Sequence, residues 1–351
     1  MKILHILNTD RFSGAENVVC RIIDLFRDDP DVEMAYCSRD GQIRSVLEQQ
    51  GIRFFPVADL SRAELSRVLT EFRPQLLHAH DFRASIACSA FAGEVSVISH
   101  LHNNPPWLKR LGLRSLAYAR TCSRYGRILT VSNSVFDEFI LDKRFRKKQV
   151  CVGNPIDTAY VRRRAEANES EIRRDLCFCG RLDEQKDPLL FLDILAELPD
   201  GVTAVMLGDG TLRAEVEAKR EALGLGDRLL LCGFTDDPFP IMKNCRALCM
   251  PSRWEGFGLA AVEALALGLP VICSGAGGLS NIVRSDCGAI CREKADYVRE
   301  LSALLCDPDR LAAKRAAARA RADELDNCAS YKEVLQNVYR ASVSDATHTD
   351  L

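Results

Sequence analysis

Short apolar runs alternate along the chain with segments whose apolar residues recur at helical spacing. In the first half, the pattern predicts strands at 2–7, 75–79, 96–101 and 128–131, and helices such as 15–26 and 63–72. In the second half, it predicts strands at 176–179, 203–207, 229–232, 247–250 and 271–273, with helices at 189–198, 212–223 and 259–267. Repeated alternation of strands and helices is typical of parallel sheets. The pattern therefore predicts an α/β protein with two doubly wound, Rossmann-like parallel sheets.

The length of the chain fits two domains. Its 351 residues exceed the ~100–200 that one domain usually holds. A Gly-Asn-Pro segment at 153–155 interrupts the pattern at its middle, and 162–174 reads as a charged connector into the second sheet. We therefore expect an N-terminal domain at 1–153 and a C-terminal domain at 154–328.

Composition narrows the class of protein. Hydrophobic residues make up 47% of the chain, enough for sizeable cores, and the net charge of −2 gives no general reason to expect nucleic acid as a partner. The chain has no apolar run of twenty residues and no apolar leader before Asn8, so we expect a cytoplasmic protein without a transmembrane helix. The fifteen cysteines scatter through predicted strands and helices without paired C-x2-C spacing, which favours free thiols over disulfides or structural zinc.

Two glutamates flank a strand-to-helix turn in the second half. Glu255 lies in the glycine-rich loop that precedes the predicted helix 259–267, and Glu263 lies in that helix. Ligands of open α/β sheets bind beyond the carboxyl ends of the strands, so both carboxylates should face one crevice and accept hydroxyl hydrogen bonds. The alternative is that Glu255 complements the helix dipole and Glu263 lies on a solvated face.

This segment resembles the donor-site signature of family-4 retaining glycosyltransferases with the GT-B fold, in which two glutamates are separated by seven residues. The resemblance implies that Glu263 holds the ribose hydroxyls of a nucleotide-sugar and that Glu255 contacts the donor sugar. It also implies that a helix at 329–341, within the alanine- and arginine-rich segment 309–340, returns to the first domain. The polar segment 342–351 is then expected to be a disordered tail.

Two further segments suit the phosphates of such a donor. Arg181 and Lys186 follow the strand 176–179, and they match the family segment that neutralises the donor diphosphate without a metal. Ion pairs with neighbouring acidic residues are the alternative. Gly14 precedes the helix after the first strand, where backbone N–H groups can approach an anion, although Ser13 replaces the first of the two glycines usual in the family.

Glycine and histidine patterns argue against two other classes of site. Gly208-Asp209-Gly210 lacks the full G-x-G-x-x-G of dinucleotide oxidoreductases, so it is either a structural turn or a loop near the nucleotide. Five of the six histidines lie in the first half near strand ends, but without zincin spacing, and we expect no metal site. His102 matches the family histidine beside the donor sugar, whereas His78 and His80 could equally be core residues.

The segment 107–148 is strongly basic. It holds eleven Lys or Arg residues against three acidic ones, a net charge of +8, and its first part mixes these cations with apolar side chains. Such a mixture suits a helix on anionic lipid, so we expect peripheral membrane contact and a lipid-linked or glycan acceptor. An ordinary helix with a solvated basic face is the alternative, and a nucleic-acid patch is less favoured.

The resemblance implies a retaining, metal-independent glycosyltransferase that uses a nucleotide diphosphate-sugar, most simply a UDP-sugar, as substrate and needs no cofactor. Bacterial surface polysaccharide or lipopolysaccharide synthesis, at the cytoplasmic face of the inner membrane, is the implied setting. The alternatives are a nucleotide-sugar epimerase of the same fold and a catalytically silent partner.

Asn281 departs from the family by replacing a common glutamate. The implied catalytic residues are His102, Arg181, Lys186 and Glu255, and the implied donor-binding residues are Gly14, Arg181, Lys186, Glu255, Gly256, Phe257, Gly258 and Glu263.

Overall fold

The structure is a computed structural model that describes residues 1–347, without the side chains of Arg144 and of residues 345–347. It divides into two compact units. The first comprises Met1–Pro155 and the chain from Asn327 onward, and the second comprises Ile156–Asp326. Each unit contains one parallel sheet, which confirms the predicted fold class.

The described part of the first unit holds a seven-stranded parallel sheet with the strand order β3-β2-β1-β4-β5-β6-β7. Its strands are β1 (Lys2–Ile6), β2 (Glu33–Arg39), β3 (Phe54–Val57), β4 (Leu76–His80), β5 (Ser96–Leu101), β6 (Arg127–Thr130) and β7 (Gln149–Cys151). Its helices before the second unit are α1 (Gly14–Leu25), α2 (Ile43–Gln49), α3 (Arg62–Phe72), α4 (Phe82–Cys88), α5 (Leu113–Cys122) and α6 (Asn133–Asp137), with 3-10 turns at Ser89–Phe91, Pro106–Lys109, Asp142–Arg144 and Arg146–Lys148.

The predicted strands of this unit are those at the centre of its sheet. β4 and β5 are buried at every residue, because strands covered on both faces require a continuous apolar run. The apolar pattern missed β2, β3 and β7. β3 and β7 are edge strands: β3 buries only alternate residues, β7 buries none, and β3 contains Pro56, which is tolerated at a sheet edge.

The second unit, described throughout, holds a six-stranded parallel sheet with the order β10-β9-β8-β11-β12-β13. Its strands are β8 (Leu176–Cys179), β9 (Ala204–Leu207), β10 (Leu229–Gly233), β11 (Ala247–Met250), β12 (Val271–Ser274) and β13 (Gly288–Cys291). Its helices are α7 (Thr158–Ala167), α8 (Pro188–Glu197), α9 (Arg213–Ala222), α10 (Phe239–Met242), α11 (Leu259–Ala266), α12 (Leu279–Ile282), α13 (Lys294–Cys306) and α14 (Pro308–Leu325). The first part of the predicted connector 162–174 is therefore helical.

The last helix, α15 (Cys328–Thr347), belongs to the first unit. The hydroxyl of Tyr339 lies 2.9 Å from Nδ1 of His78, and the hydroxyl of Ser96 donates to the carbonyl oxygen of Ser342 at 2.7 Å. The predicted disordered tail at 342–351 is therefore wrong for residues 342–347, because the buried Ser342 anchors the helix there. The remaining residues of that prediction lie outside the described part of the chain.

Five histidines lie together beside the centre of the first sheet. The register places His5 opposite His78 on β1 and β4, and His80 opposite His100 on β4 and β5. These four side chains are completely buried, and His102, just beyond β5, is partly buried. Burial disfavours the charged imidazolium, and it lowers the pKa of His5 and His102 from 6.5 to about 3. The pKa values of the other three rings also fall well below 6.5, first through burial and then through the neighbouring histidines.

Because the buried histidines are neutral, we expect acid to destabilise the first unit and not the second. Below pH 6.5 the histidines of the unfolded chain bind protons, whereas the folded rings of His5 and His102 stay neutral until about pH 3. The free energy of unfolding therefore decreases as the pH falls through this interval. Lowering the pH from 7.5 to 5 should cost about 2 kcal/mol for each of His5 and His102. Urea unfolding of a Trp254→Phe variant, followed by the fluorescence of Trp107, would measure this loss in the first unit.

The second unit supplies the control, because residues 156–326 contain no histidine. A Trp107→Phe variant leaves Trp254 to report on that unit, and its stability should change much less over the same pH range. Equal losses in both units would contradict the histidine explanation.

Candidate functional site

The loop 251–258 of the second unit joins β11 to α11 and carries Glu255. Glu255 is buried. The glycines at 277 and 278, after β12, allow the backbone there to lie directly against this loop. A Cβ atom on Gly277 would lie 1.6 Å from the carbonyl oxygen of Glu255, and one on Gly278 would lie 2.5 Å from that of Phe257. Close backbone packing therefore fixes where Glu255 lies.

The structure pairs Glu255 with a second predicted residue, Lys186. Lys186 Nζ lies 2.5 Å from Glu255 Oε2, and the two side chains are only 15% and 9% exposed. The loop that carries Lys186 begins at Gly180, whose φ of +156° favours glycine, and the backbone N–H of Lys186 donates to Asp183 Oδ1 at 3.1 Å. The sequence placed both residues at strand ends but did not predict that they contact one another.

Arg181 lies on the same loop as Lys186 and is more open to solvent. Its side chain is 53% exposed, and its Nη2 lies 3.2 Å from Asp183 Oδ2 and 2.9 Å from Gln185 Oε1. Gln185, which is buried, also donates through Nε2 to the carbonyl oxygen of Trp254 at 3.2 Å. Gln185 thus connects the two loops of the site. The sequence does not single out Gln185, because no pattern distinguishes a buried amide from an exposed one in a loop.

The ion-pair alternative describes only part of this loop. Arg181 does pair with Asp183, but Asp187 pairs with Arg253, whose Nε lies 2.7 Å from Asp187 Oδ2. Lys186, in contrast, is directed to Glu255. A surface ion pair therefore explains Arg253 well but does not explain the buried position of Lys186.

Glu263 lies near the end of β8. It is on α11 and partly buried. Burial raises the pKa of the Cys179 thiol to about 12, and the negative charge of Glu263 acts in the same direction. Cys179 is the last residue of β8, so Glu263 lies within electrostatic reach of the loop that carries Arg181 and Lys186. Both predicted carboxylates therefore lie around the ends of β8 and β11.

These two strands are adjacent at the point where the strand order reverses. From β8 the chain builds the sheet outward through β9 and β10 on one side, and from β11 through β12 and β13 on the other. Loops diverge at such a switch point and leave a crevice beyond the carboxyl ends of the strands, where α/β proteins bind ligands. The predicted residues of the second unit therefore lie at the position in the fold best suited to a ligand.

The Gly208-Asp209-Gly210 segment has a packing role. A Cβ atom at position 208 would lie 2.0 Å from the carbonyl oxygen of Gly180, and one at 210 would lie 2.4 Å from that of Leu182. The N–H of Leu182 donates to the carbonyl oxygen of Asp209 at 3.0 Å. Both glycines are thus required for the loop after β9 to support the loop after β8.

In the first unit, Gly14 begins α1. A Cβ atom there would meet nothing within 4 Å, so close packing does not require glycine at this position. Ser13 does not cap the helix; its hydroxyl donates instead to the Glu16 carboxylate at 2.5 Å. Glu16 is buried in the first turn of α1, where it already uses part of the attraction of the helix N-terminus for negative charge. Anion binding at Gly14 stays a prediction.

His102 follows β5 and contacts another histidine. Its Nε2 lies 2.8 Å from Nδ1 of His80. Because burial lowers its pKa to about 3, the ring is neutral near pH 7 and can act there as a hydrogen-bonding group but not as a cation. His78 and His80 are buried and hydrogen-bonded, as the core alternative requires.

The basic segment 107–148 does not form a single amphipathic helix. It is divided among short helices, 3-10 turns and the strand β6. Leu108 and Tyr118, two of the apolar residues in this segment, are fully buried in the core. Lys148 is also turned inward, and its Nζ donates to the carbonyl oxygens of Ser123 and Tyr125 at 2.7 and 2.6 Å.

A smaller surface within this segment does combine exposed apolar side chains with cations. Leu111, Leu113 and Leu116 are 64%, 89% and 48% exposed, which is unusual for leucine. Within residues 1–347, no helix has both the length and the apolar composition needed to cross a bilayer. We call this region the 106–116 surface, and its members are Pro106, Trp107, Lys109, Arg110, Leu111, Leu113, Arg114 and Leu116.

Comparison with known families covers both units. Residues 12–160 match the model of glycosyltransferase family 4, and residues 162–323 match that of glycosyl transferases group 1. A mannosyltransferase of Mycobacterium tuberculosis, described as a GDP-mannose-dependent alpha-(1-6)-phosphatidylinositol dimannoside mannosyltransferase, is 30% identical over 59% of this chain and 56% of its own length.

A second relative comes from Campylobacter jejuni. This N-acetylgalactosamine-N,N'-diacetylbacillosaminyl-diphospho-undecaprenol 4-alpha-N-acetylgalactosaminyltransferase is 30% identical over 36% of this chain and 35% of its own length. The chain thus spans from about a third to just over half of these two relatives. Among solved structures, Anabaena Alr3699/HepE in complex with UDP and glucose has a TM-score of 0.85 at 20% identity, covering 97% of this chain and 99% of the other. The family models and the shared architecture agree with the resemblance in the donor-site loops, and the chain belongs to the family-4 glycosyltransferases with the GT-B fold.

Proposed function

We propose that this protein is a retaining glycosyltransferase. It moves a sugar from a nucleotide diphosphate-sugar, a UDP-sugar in the simplest case, to a hydroxyl group of a lipid-linked or glycan acceptor. The observation that carries the proposal is the buried Lys186–Glu255 pair at the switch point between β8 and β11, with Arg181 on the loop of Lys186 and Glu263 on the helix after Glu255. Cations for a diphosphate and carboxylates for sugar hydroxyls are the groups that such a donor requires.

The charge on the leaving group explains the two cations. When the bond between sugar and diphosphate breaks, negative charge grows on the diphosphate, and Arg181 and Lys186 would stabilise it most strongly at that moment. Arg181 offers a planar fork of donors and is half exposed, so it can reach phosphate oxygens with little rearrangement. Lys186 is held in place by Glu255, and its ammonium can donate to both a carboxylate and a phosphate.

The carboxylates and His102 would orient the donor. We assign Glu263 to the ribose hydroxyls, and Glu255 and His102 to the donor sugar. Retention and independence of a metal are inferred from the family signature, with the acceptor hydroxyl attacking on the face that the diphosphate leaves. The acceptor proton would then pass to a departing phosphate oxygen, so that the products are the glycoside and the nucleoside diphosphate.

Lipid acceptors are favoured by the 106–116 surface and by the two relatives, whose names specify phosphatidylinositol and diphospho-undecaprenol acceptors. Three exposed leucines among Lys109, Arg110 and Arg114 suit an anionic bilayer, because the leucines can enter the interface while the cations contact headgroups. We therefore propose that the protein acts on the membrane in the synthesis of a bacterial surface glycan, on the cytoplasmic side where nucleotide-sugars are made.

The primary test is a donor panel. The purified protein would be incubated with UDP-, GDP- and ADP-sugars and bacterial lipid extract, while nucleotide release and sugar incorporation are measured. We expect the nucleotide to be released from donors of one nucleotide class, and only when lipid extract is present. Glu263→Gln should raise the KM for that donor about 10- to 100-fold, because a charged hydrogen bond to the ribose is weakened.

Glu217→Gln is the matched control, since Glu217 is in the same unit, is half exposed and pairs only locally with Arg213. It should leave the KM unchanged. Conversion of the donor sugar without any lipid would favour an epimerase instead. Tight donor binding without nucleotide release, whichever lipid extract is added, would favour a catalytically silent partner.

A second test separates catalysis from stability at the buried pair. Lys186→Met leaves the Glu255 carboxylate buried and unpaired, so it should cost about 3–5 kcal/mol of stability in the second unit. It should also reduce kcat about 100- to 1,000-fold, since a donor to the leaving group is lost. The double variant Lys186→Met/Glu255→Gln should recover most of the stability but none of the turnover. Turnover that returned along with stability would show that the pair is purely structural.

A third test addresses the membrane. Flotation with vesicles of phosphatidylglycerol and phosphatidylcholine should retain the protein at low salt and lose most of it at high salt. Replacing the leucines at 111, 113 and 116 by serine should reduce binding at least about 10-fold, because their burial in the interface is lost. The same substitution at Leu223, Phe234 and Ile290, which are exposed elsewhere, is the control and should have little effect. Equal losses for both triple variants would contradict a specific surface.

A further inference from the structure

The buried histidines of the first unit form two hydrogen-bonded rows. In one row, His5 Nδ1 lies 2.9 Å from His80 Nε2, and His80 Nδ1 lies 2.8 Å from His102 Nε2. In the other, Tyr339 lies 2.9 Å from His78, and His78 Nε2 lies 3.1 Å from His100 Nδ1. Among the described residues, only the first row reaches His102 through hydrogen bonds, so the two rows differ in what they connect although their burial is similar.

The spacing of these nitrogens indicates shared protons rather than a shared metal. Two groups, His5-His78-His80 and His80-His100-His102, have ring nitrogens close enough to be considered for an ion. Zinc ligands at 2.0–2.1 Å in a tetrahedron stand about 3.3 Å apart. The joined nitrogens at 2.8 and 2.9 Å are closer than that, and they match ordinary hydrogen bonds.

A row of neutral imidazoles has only two possible directions. Each neutral ring carries one N–H and one bare nitrogen, so a ring that donates on one side must accept on the other. His80 contacts His5 through one nitrogen and His102 through the other. The proton position on His80 therefore fixes which nitrogen of His102 carries a proton.

The buried end of the row favours one direction. His5 Nε2 is buried and has no hydrogen-bond partner among the described residues. If the row ran from His102 towards His5, this atom would carry a proton with no acceptor, and orphaned N–H groups are rarer in folded proteins than under-satisfied acceptors. If the row runs from His5 towards His102, the same atom is only an unused acceptor. His80 Nδ1–H then donates to His102 Nε2, and the proton of His102 is on Nδ1.

We propose that His80, supported by His5, is a positioning residue that holds His102 in the Nδ1–H tautomer, so that its second nitrogen is presented as a hydrogen-bond donor. The ligand chemistry that this selects is an oxygen acceptor, such as a hydroxyl of a sugar. The tautomer follows from the row alone, whereas its use in sugar binding rests on the proposed function. Loss of His80 would release His102 to protonate either nitrogen.

Two-bond proton–nitrogen NMR correlations on the full chain labelled with 15N-histidine would read the tautomer directly. We expect the Nδ1–H form for His102 in the unaltered protein and a mixed or reversed form in His80→Phe. His80→Asn should retain the Nδ1–H form, because an asparagine amide can still donate towards His102 Nε2. His78→Phe, in the other row, should also retain it and is the matched control.

An Nε2–H form of His102 in the unaltered protein, or no change in His80→Phe, would overturn the proposal. About one equivalent of zinc in the purified protein, whose removal shifts the His80 and His102 signals, would also overturn it. Once a donor is known, His80→Phe should lower kcat/KM about 10-fold, and His80→Asn should recover much of that loss. Failure of the proposed function would appear as absent turnover in the unaltered protein and would leave the NMR result intact.

Discussion

A lysine ammonium held against a carboxylate, with little access to water, is the interaction on which the candidate site depends. Lys186 and Glu255 come from loops that follow adjacent strands, and their attraction is strong because both side chains are largely buried. A pair of this kind rarely gains stability over an apolar pair of the same shape, because desolvation of both charges is costly. The pair therefore fixes a cation at this position more than it stabilises the fold.

The backbone around the pair is built to hold it. Gly277 and Gly278 allow one loop to pack on the Glu255 segment, and Gly208 and Gly210 allow another to pack on the segment before Lys186. Side chains at these positions would collide with carbonyl oxygens, so the precision of the site comes from loops in direct backbone contact. The first unit uses a different device, in which neutral histidines exchange hydrogen bonds among three strands and a helix from the end of the chain.

The net charge of the segment 107–148 was a poor guide to the 106–116 surface. The net charge of +8 over 107–148 is spread over separate elements, and some of its cations already have partners: Lys148 donates to backbone carbonyl oxygens, and Arg146 pairs with Asp137 and Asp142. What distinguishes the 106–116 surface is the exposure of its leucines, since exposed cations are common on any protein. Apolar periodicity could not reveal this, because buried Leu108 and exposed Leu111 are the same residue type.

The sequence by itself determined the alternation of strands and helices, the two parallel sheets, and the positions of Glu255, Glu263, Arg181 and Lys186 near strand ends. These properties depend on local apolar runs and on the rule that parallel strands end at one edge. Only the tertiary structure decided that Lys186 contacts Glu255, that Gln185 connects two loops, and that helix α15 continues past Ser342. Each of these depends on residues far apart in the chain, whose contacts are set by how strands are ordered and how backbones pack, and the spacing of residues along a sequence carries no record of that.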